Sequence, residues 1–259
     1  MTVDHLVLRE EGLHLAQQLF GRQAEMAITF ADRLSDICIG AQDKDFLLIH
    51  NPGGWGNNTF DRCLQWEKNI VMGISATVER MGYSRLLVQY FRTGSNLFEK
   101  LRDVGQQFRF FSTKARIMAA ELEFIIRHID NLRVILIGIS QGAAFTNSVM
   151  QKVPEHPRIY SIELGMFFPY LSRRVITGRT LSLDSNGILP DAAVRRDLMA
   201  GAKAYVAGSF RWLWRHLVRK PTSFSQCIKV PGHDYDWGYA YVQGRVIEFL
   251  EGNFGTRSE

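Results

Sequence analysis

Short apolar runs alternate along the chain with longer segments whose apolar residues recur every three or four positions. An apolar run without polar alternation is typical of a parallel strand buried on both faces, whereas the longer spacing indicates a helix with one buried side. We predict strands at residues 45–50, 84–91, 133–138, 158–165, 180–184 and 225–230. We predict helices at residues 6–36, 60–80, 112–128, 192–219 and 239–254, and one directly after residue 142.

This alternation of strand and helix, repeated about six times, predicts an α/β fold. Strands joined by helices pair in parallel and carry helices on both faces of the sheet. We therefore expect a mostly parallel sheet of about six strands, preceded by a helical N-terminal segment. With 259 residues, of which 46% are hydrophobic, the chain can bury a sizeable core. We assign one domain to 1–259, with the helical segment at 1–44 and the core at 45–254.

Glycines and polar stretches indicate where these elements are interrupted. Gly21 is expected to divide the first helical segment into two, and Gly201 and Gly208 to break the segment at 192–219. Residues 94–110 are polar and irregular, so we expect them to form an excursion on the surface.

A single serine between small residues follows the apolar run at 133–138. The sequence there is Gly138-Ile139-Ser140-Gln141-Gly142, and helix-forming residues come next. A strand that turns sharply into a helix at such a serine is the nucleophile elbow, in which strained backbone exposes the hydroxyl. The glycines leave room for the tight crossing of strand and helix.

A serine hydroxyl needs a neighbouring base before it can act as a nucleophile. Of the seven histidines, only His50 and His233 lie at or just after the ends of predicted strands, where the reactive groups of such sheets gather. We predict His233, in the turn after the last predicted strand, as the base. His50 is interpreted as a structural residue that braces the following loop.

The elbow and the late Pro231-Gly232-His233 resemble those of the α/β-hydrolases, over roughly residues 45–254. The chain lacks that family's usual first two antiparallel strands, and the helical segment stands in their place. The resemblance implies a triad in the order serine, acid, histidine, and a serine hydrolase of carboxylic esters or related acyl compounds. It implies an acyl-enzyme intermediate, and it leaves hydrolysis and acyl transfer as alternatives.

The resemblance places the triad acid after the next-to-last strand, where three carboxylates are candidates. Asp184 is favoured because it lies at the strand's end, whereas Asp191 follows Pro190 and has a plain role as a first-turn helix acid. Glu163, at the end of the preceding strand, is a further candidate. Asn186 occupies the position where an aspartate is often found.

The glycine-rich loop after the first strong strand is predicted to complete an oxyanion hole. One amide donor would come from Gln141, directly after the serine, and the other from Gly53 or Gly54, since Pro52 has no N–H. Three aromatic residues next to the proposed catalytic loops predict a pocket for acyl or aryl groups: Trp55, Tyr235 and Trp237.

Several other classes of function are disfavoured. The net charge of +5 is spread along the chain, so we expect no nucleic-acid partner. No lysine follows the elbow glycines, no Gly-x-Gly-x-x-Gly follows a strand and no zinc motif is present, so we expect neither a cofactor nor a metal. The three cysteines are expected to be reduced core thiols. With no secretory signal and no transmembrane run, we expect a cytoplasmic protein.

The segment at 210–220 mixes two tryptophans with basic and apolar residues. Such a segment could make peripheral contact with a membrane. We favour an ordinary helix with the tryptophans in the core and the arginines in water. For the whole chain, a catalytically silent hydrolase-fold protein that binds a ligand or partner is the alternative function, and the oligomeric state stays open.

Overall fold

The computed structural model describes residues 5–21, 23–54, 56–92, 111–153, 156–218 and 227–256. Its strands are β1 (Phe46–Asn51), β2 (Arg85–Gln89), β3 (Arg133–Ile139), β4 (Ile159–Leu164) and β5 (Thr180–Leu183). Its helices are α1 (His5–Phe20), α2 (Ala24–Ala41), α3 (Gln65–Arg80), α4 (Ser112–His128), α5 (Gln141–Met150), α6 (Leu198–Leu217) and α7 (Ala240–Phe254). Short 3₁₀ turns lie at Phe60–Arg62 and Phe168–Arg173.

The strands form one sheet in the order β2-β1-β3-β4-β5, and every neighbouring pair is parallel. The predicted α/β class, with its helical N-terminal segment, is confirmed. The described residues contain five strands rather than about six, because residues 228–230 of the predicted last strand pair with no neighbour. The remainder of that prediction, at 225–226, and the excursion at 94–110 lie outside the described residues.

Both faces of the sheet are covered, and β1 illustrates why its sequence has no polar alternation. All six of its residues are buried. Leu47 and Ile49 belong to the core under α1, α2, α4 and α5, whereas Phe46 and Leu48 belong to the core under α3 and α7. A strand between two helical layers needs apolar side chains on both sides, which is what its sequence supplies.

The order of the strands reverses between β1 and β3. From β1 the chain passes to β2 on one side, and later returns to β3 on the other side of β1. The loops that follow β1 and β3 therefore leave in opposite directions, and a crevice opens at the carboxyl ends of these strands. Asn51 and Gly138 are the last paired residues there, which brings the glycine-rich loop beside Ser140.

The segment after β5 differs from the prediction. No helix begins at Pro190 and Asp191, because Ser185 and Pro190 close a bridged loop and α6 starts only at Leu198. Neither Gly201 nor Gly208 interrupts α6. The predicted division near Gly21 is present, and this residue has a φ of 63°.

The expected burial of the tryptophans in α6 is wrong for Trp214, which is 66% exposed, whereas Trp212 is half-buried. The cysteines are free and buried, as expected. No helix in the described ranges is long and apolar enough to cross a membrane.

Candidate active site

Ser140 occupies the sharp turn between β3 and α5. Its φ of 55° and ψ of −114° lie where a residue with a side chain is rarely found. A Cβ at Gly138 would lie 2.6 Å from the Gly142 carbonyl oxygen, and a Cβ at Gly142 would lie 2.1 Å from the Asn51 carbonyl oxygen. Only glycine therefore fits on either side of the serine, and the predicted strand–turn–helix geometry is present.

Gly165 lies between the turn of Ser140 and two residues of distant loops, Asp191 and His233, and was not among the predicted site residues. The Ser140 amide donates to the Leu164 carbonyl oxygen at 2.8 Å, and Gly165 comes next in the chain with a φ of 60°. A Cβ on Gly165 would lie 2.8 Å from Asp191 Oδ2 and 2.9 Å from His233 Cε1. A glycine at the end of a predicted strand is the signal that could have indicated this close approach.

His233 and Asp191 form a hydrogen-bonded pair at this edge, with 2.7 Å between His233 Nδ1 and Asp191 Oδ2. The Asp191 side chain is fully buried, yet its oxygens accept several hydrogen bonds. Oδ2 also accepts one from the Tyr235 hydroxyl at 2.7 Å, and Oδ1 accepts one from the Ala193 amide at 2.8 Å. Because Asp191 accepts these hydrogen bonds, we place the proton of the neutral imidazole on His233 Nδ1. The other ring nitrogen, Nε2, is then left for another partner.

The prediction that Asp184 is the acid beside His233 is wrong. Asp184 forms an ion pair with Arg174, at 2.7 Å between Oδ1 and Nη1, and the same arginine nitrogen donates to Ser182. The chain then makes the bridged loop and returns to the carboxyl end of the sheet only at Asp191. Asp184 therefore points toward a neighbouring loop, while Asp191 reaches the histidine.

Glu163, the third candidate, is hydrogen-bonded to residues other than His233. It is completely buried, and its carboxyl group accepts hydrogen bonds from Asn147 Nδ2 at 3.0 Å and Ser161 Oγ at 3.1 Å. Burial raises the pKa of Glu163 to about 8. Asn186, in the position where an aspartate was considered, donates to Asp234 instead.

Among the aromatic residues predicted to line a pocket, Tyr235 instead supports Asp191. Tyr235 is fully buried against Asp191, and burial together with the Asp191 charge raises the pKa of its hydroxyl far above the ordinary value. Trp237 packs on α3 so closely that a Cβ at Gly73 would lie 2.1 Å from its ring. Tyr235 therefore offers no open pocket surface, whereas Trp237 is half-buried against α3. Trp55 lies outside the described residues.

Two buried charged residues hold the glycine-rich loop. Glu67 Oε1 lies 3.0 Å from His50 Nε2 and accepts the Gly53 amide at 3.2 Å, while Arg92 Nη2 donates to the Gly54 carbonyl oxygen at 2.7 Å. The loop lies next to the serine, since a Cβ at Gly53 would be 3.7 Å from Ser140 Cβ. The Gly53 amide is thus directed at Glu67, whereas the Gly54 amide donates to none of the described residues.

His50, Cys63 and Glu67 are the described residues with a spacing compatible with a metal, because their ligand atoms lie within 4.8 Å of one another. Glu67 is already bound by His50 and by the Gly53 amide. Burial raises the pKa of the Cys63 thiol, which favours the protonated form that does not bind metals. His50 and Glu67 instead form a hydrogen-bonded brace that holds the glycine-rich loop through the Gly53 amide.

A serine at a positive-φ turn after a central parallel strand, with a histidine–aspartate pair at the carboxyl end of the same sheet, resembles the arrangement found in α/β-hydrolases. No family model and no curated protein matches the sequence. Among solved structures, the chain is similar to Trichoderma reesei cutinase in complex with a C11Y4 phosphonate inhibitor. The two chains are 13% identical, with a TM-score of 0.47, and the match covers 93% of this chain and 99% of that one. So distant a likeness transfers no function.

Proposed function

We propose that this chain is a serine hydrolase that acts on carboxylic esters or related acyl compounds through an acyl-enzyme. The observation that carries the proposal is the hydrogen bond between His233 and the buried Asp191, at the sheet edge where the strained turn presents Ser140. A histidine held in one tautomer by a carboxylate is the base that a serine nucleophile requires.

In the first half-reaction, Ser140 Oγ attacks the carbonyl carbon of the ester while its proton passes to His233 Nε2. The carbonyl oxygen becomes an oxyanion, and the resulting imidazolium is stabilised by Asp191. The tetrahedral intermediate then collapses. The bond from carbon to the leaving oxygen breaks, that oxygen takes the proton from His233, and the acyl group stays on Ser140.

In the second half-reaction, a water molecule gives a proton to His233 as its oxygen attacks the acyl carbon. The bond to Ser140 Oγ breaks, and the serine recovers a proton from the histidine. An alcohol that replaced water as the acceptor would turn the same intermediate to acyl transfer. The mechanism requires no cofactor.

The oxyanion would be bound by two backbone amides. Gln141 begins α5, so its amide lies at the positive end of a helix directly after the nucleophile. We assign the second donor to Gly54 rather than Gly53, because the Gly53 amide is directed at Glu67. Each such donor contributes about 3 kcal/mol of transition-state stabilisation in known hydrolases.

A fluorophosphonate probe, which reacts with activated serines, tests the proposal. We expect the wild-type chain to be labelled and Ser140→Ala to be unlabelled. Ser148→Ala is the matched control, since Ser148 lies on α5, the helix that follows Ser140, and its hydroxyl donates to the Ala144 carbonyl oxygen. A folded wild type that takes no label would contradict the proposal and favour the alternative, a catalytically silent binding protein.

A further inference from the structure

α6 exposes a row of large apolar side chains to solvent, with Lys203 among them. Its exposed side chains recur along one side of the helix, with spacings of seven, four and three residues. They range from 51% to 71% exposed and are Met199, Val206, Phe210, Leu213, Trp214 and Leu217. We call this surface the outer face of α6.

The opposite side of α6 packs two small residues on the rest of the protein, and Trp212 is half-buried. Ala204 is buried, and Gly208 is so close to its neighbour that a Cβ there would lie 2.9 Å from the Ile228 side chain. An ordinary surface helix buries its large apolar residues and exposes its polar ones. Here the arrangement is reversed, and a contiguous exposed apolar surface of this kind is typical of a site of interaction.

The charges on this helix are all positive. Lys203, Arg211 and Arg215 are its charged residues, and α6 contains no aspartate or glutamate. Asp197 directly precedes the helix, Arg219 and Lys220 come two and three residues after its end in the sequence, and the whole chain has a net charge of +5. Lys203 lies on the outer face, seven residues before Phe210, so a second copy docked there would bring like charges close together. Arg211 and Arg215 continue the row of Ala204 and Gly208 and lie beside this face. An anionic surface would instead attract them.

We propose that the outer face of α6 docks on the surface of an anionic phospholipid bilayer. The helix would lie in the plane of the interface, with Phe210 and Trp214 in the boundary between headgroups and acyl chains and the basic residues at the anionic headgroups. Aromatic side chains are favoured at this depth. The contact is peripheral and does not depend on whether Ser140 is reactive.

The position of α6 in the chain gives this docking a consequence for the site. The helix follows the loop that carries Asp191, and Ile228, which it contacts, precedes the turn that carries His233. Docking would therefore bring the sheet edge with the histidine–aspartate pair near the lipid surface.

The test is flotation of the full chain with vesicles of phosphatidylcholine alone or with about one third phosphatidylserine. We expect binding that increases with phosphatidylserine, and at least about tenfold weaker partition for Phe210→Asn/Trp214→Asn. Met72→Asn/Ile176→Asn is the control, because it replaces two exposed apolar residues elsewhere without changing the net charge. Arg211→Gln/Arg215→Gln should reduce the preference for the anionic vesicles.

Two further readouts separate this proposal from the proposed function. Ser140→Ala should float as the wild type does, and Phe210→Asn/Trp214→Asn should still take the soluble fluorophosphonate label. Equal flotation of Phe210→Asn/Trp214→Asn and its control, or no flotation of the wild type, would overturn the docking. A wild type that does not float but forms a dimer that Phe210→Asn/Trp214→Asn disrupts would assign the outer face to a second copy.

Discussion

His233 Nδ1 and Asp191 Oδ2 are 2.7 Å apart, although the two residues are 42 positions apart in the chain. The pair lies across Gly165 from the turn of Ser140, so three separate loops meet at the carboxyl edge of the sheet. The resulting order along the chain is serine, aspartate, histidine. The carboxylate in this order is the buried Asp191, and Asp184 is committed to Arg174.

Asp191→Asn should lose nearly all esterase activity, while Asp184→Asn should keep most of it. An asparagine at 191 can donate to Nδ1 and favour the wrong tautomer of His233, a change that costs up to about 10⁴-fold in the best-studied triad. Asp184 belongs to a partly exposed ion pair, so its loss should cost about 1 kcal/mol of stability or less. Turnover of a soluble ester, with thermal unfolding to verify the fold, would measure both. The reverse ranking would contradict the assignment of Asp191.

Tyr235→Phe should destabilise the protein and lower its activity less than Asp191→Asn does. The lost hydroxyl donates to a buried carboxylate, and a hydrogen bond to a charged group contributes about 1.5–3 kcal/mol. The free energy of unfolding from urea titration and kcat for the same ester are the measurements. Tyr239→Phe is the control, because the Tyr239 hydroxyl donates to the Asp234 carboxylate in a less buried position. Equal stability of the two variants would count against the role of Tyr235.

Glu67→Leu should lower kcat about 10- to 100-fold and change KM less. Without the carboxylate, neither His50 nor the Gly53 amide has its partner, and the loop that carries Gly54 loses its position. A displacement of about 1 Å in a reacting site costs on the order of 100-fold. Glu67→Gln keeps one acceptor oxygen, so its kcat should lie between those of the wild type and Glu67→Leu.

Glu79→Gln is the matched control for this series, since Glu79 lies on the same helix and is half-exposed in an ion pair with Arg85. Its kinetic constants should equal those of the wild type. If a folded Glu67→Leu retained the wild-type kcat, the brace would have no part in catalysis.

Glu163→Gln should be less sensitive to alkaline pH than the wild type. Because burial raises the pKa of Glu163 to about 8, the folded state holds its proton at pH values where the unfolded chain has released it. The contribution to stability is therefore fully present below the unfolded pKa, falls as pH rises and is lost above pH 8. The upper limit of this loss is about 5 kcal/mol, because a tenfold change in proton affinity corresponds to about 1.4 kcal/mol.

Urea unfolding of both proteins at several pH values from 5 to 9 would measure this difference. Glutamine stays neutral throughout, so the stability of Glu163→Gln relative to the wild type should rise across that range. A difference that stays constant with pH would show that the Glu163 carboxyl group is already ionised in the folded protein.

The parts of the site that depend on local backbone geometry are predictable from the sequence. The uninterrupted apolar run of β3 and the glycines on both sides of Ser140 are steric requirements of a buried strand that turns sharply into a helix. They are therefore visible in a few adjacent residues. The same holds for the parallel sheet itself, since strands buried on both faces need apolar residues at every position.

Only the tertiary structure decided between Asp184 and Asp191. Both follow β5 within a few residues, and the choice depends on how the bridged loop from Ser185 to Pro190 returns to the sheet edge. The choice between the Gly53 and Gly54 amides depends in the same way on Glu67, which approaches the loop from α3. These are pairings between distant segments, and spacing in the sequence does not encode the direction in which a loop returns.

For α6, too, the sequence pattern did not determine which residues pack against the rest of the protein. The periodic pattern predicted a helix near 192–219, and the observed helix, Leu198–Leu217, lies within it. We expected its tryptophans to be buried because large apolar residues normally pack inward. The structure instead packs Ala204 and Gly208 against the rest of the protein and leaves Trp214 exposed. Periodicity determines that a helix has two unlike faces, whereas the shape of the surface beneath it determines which face fits.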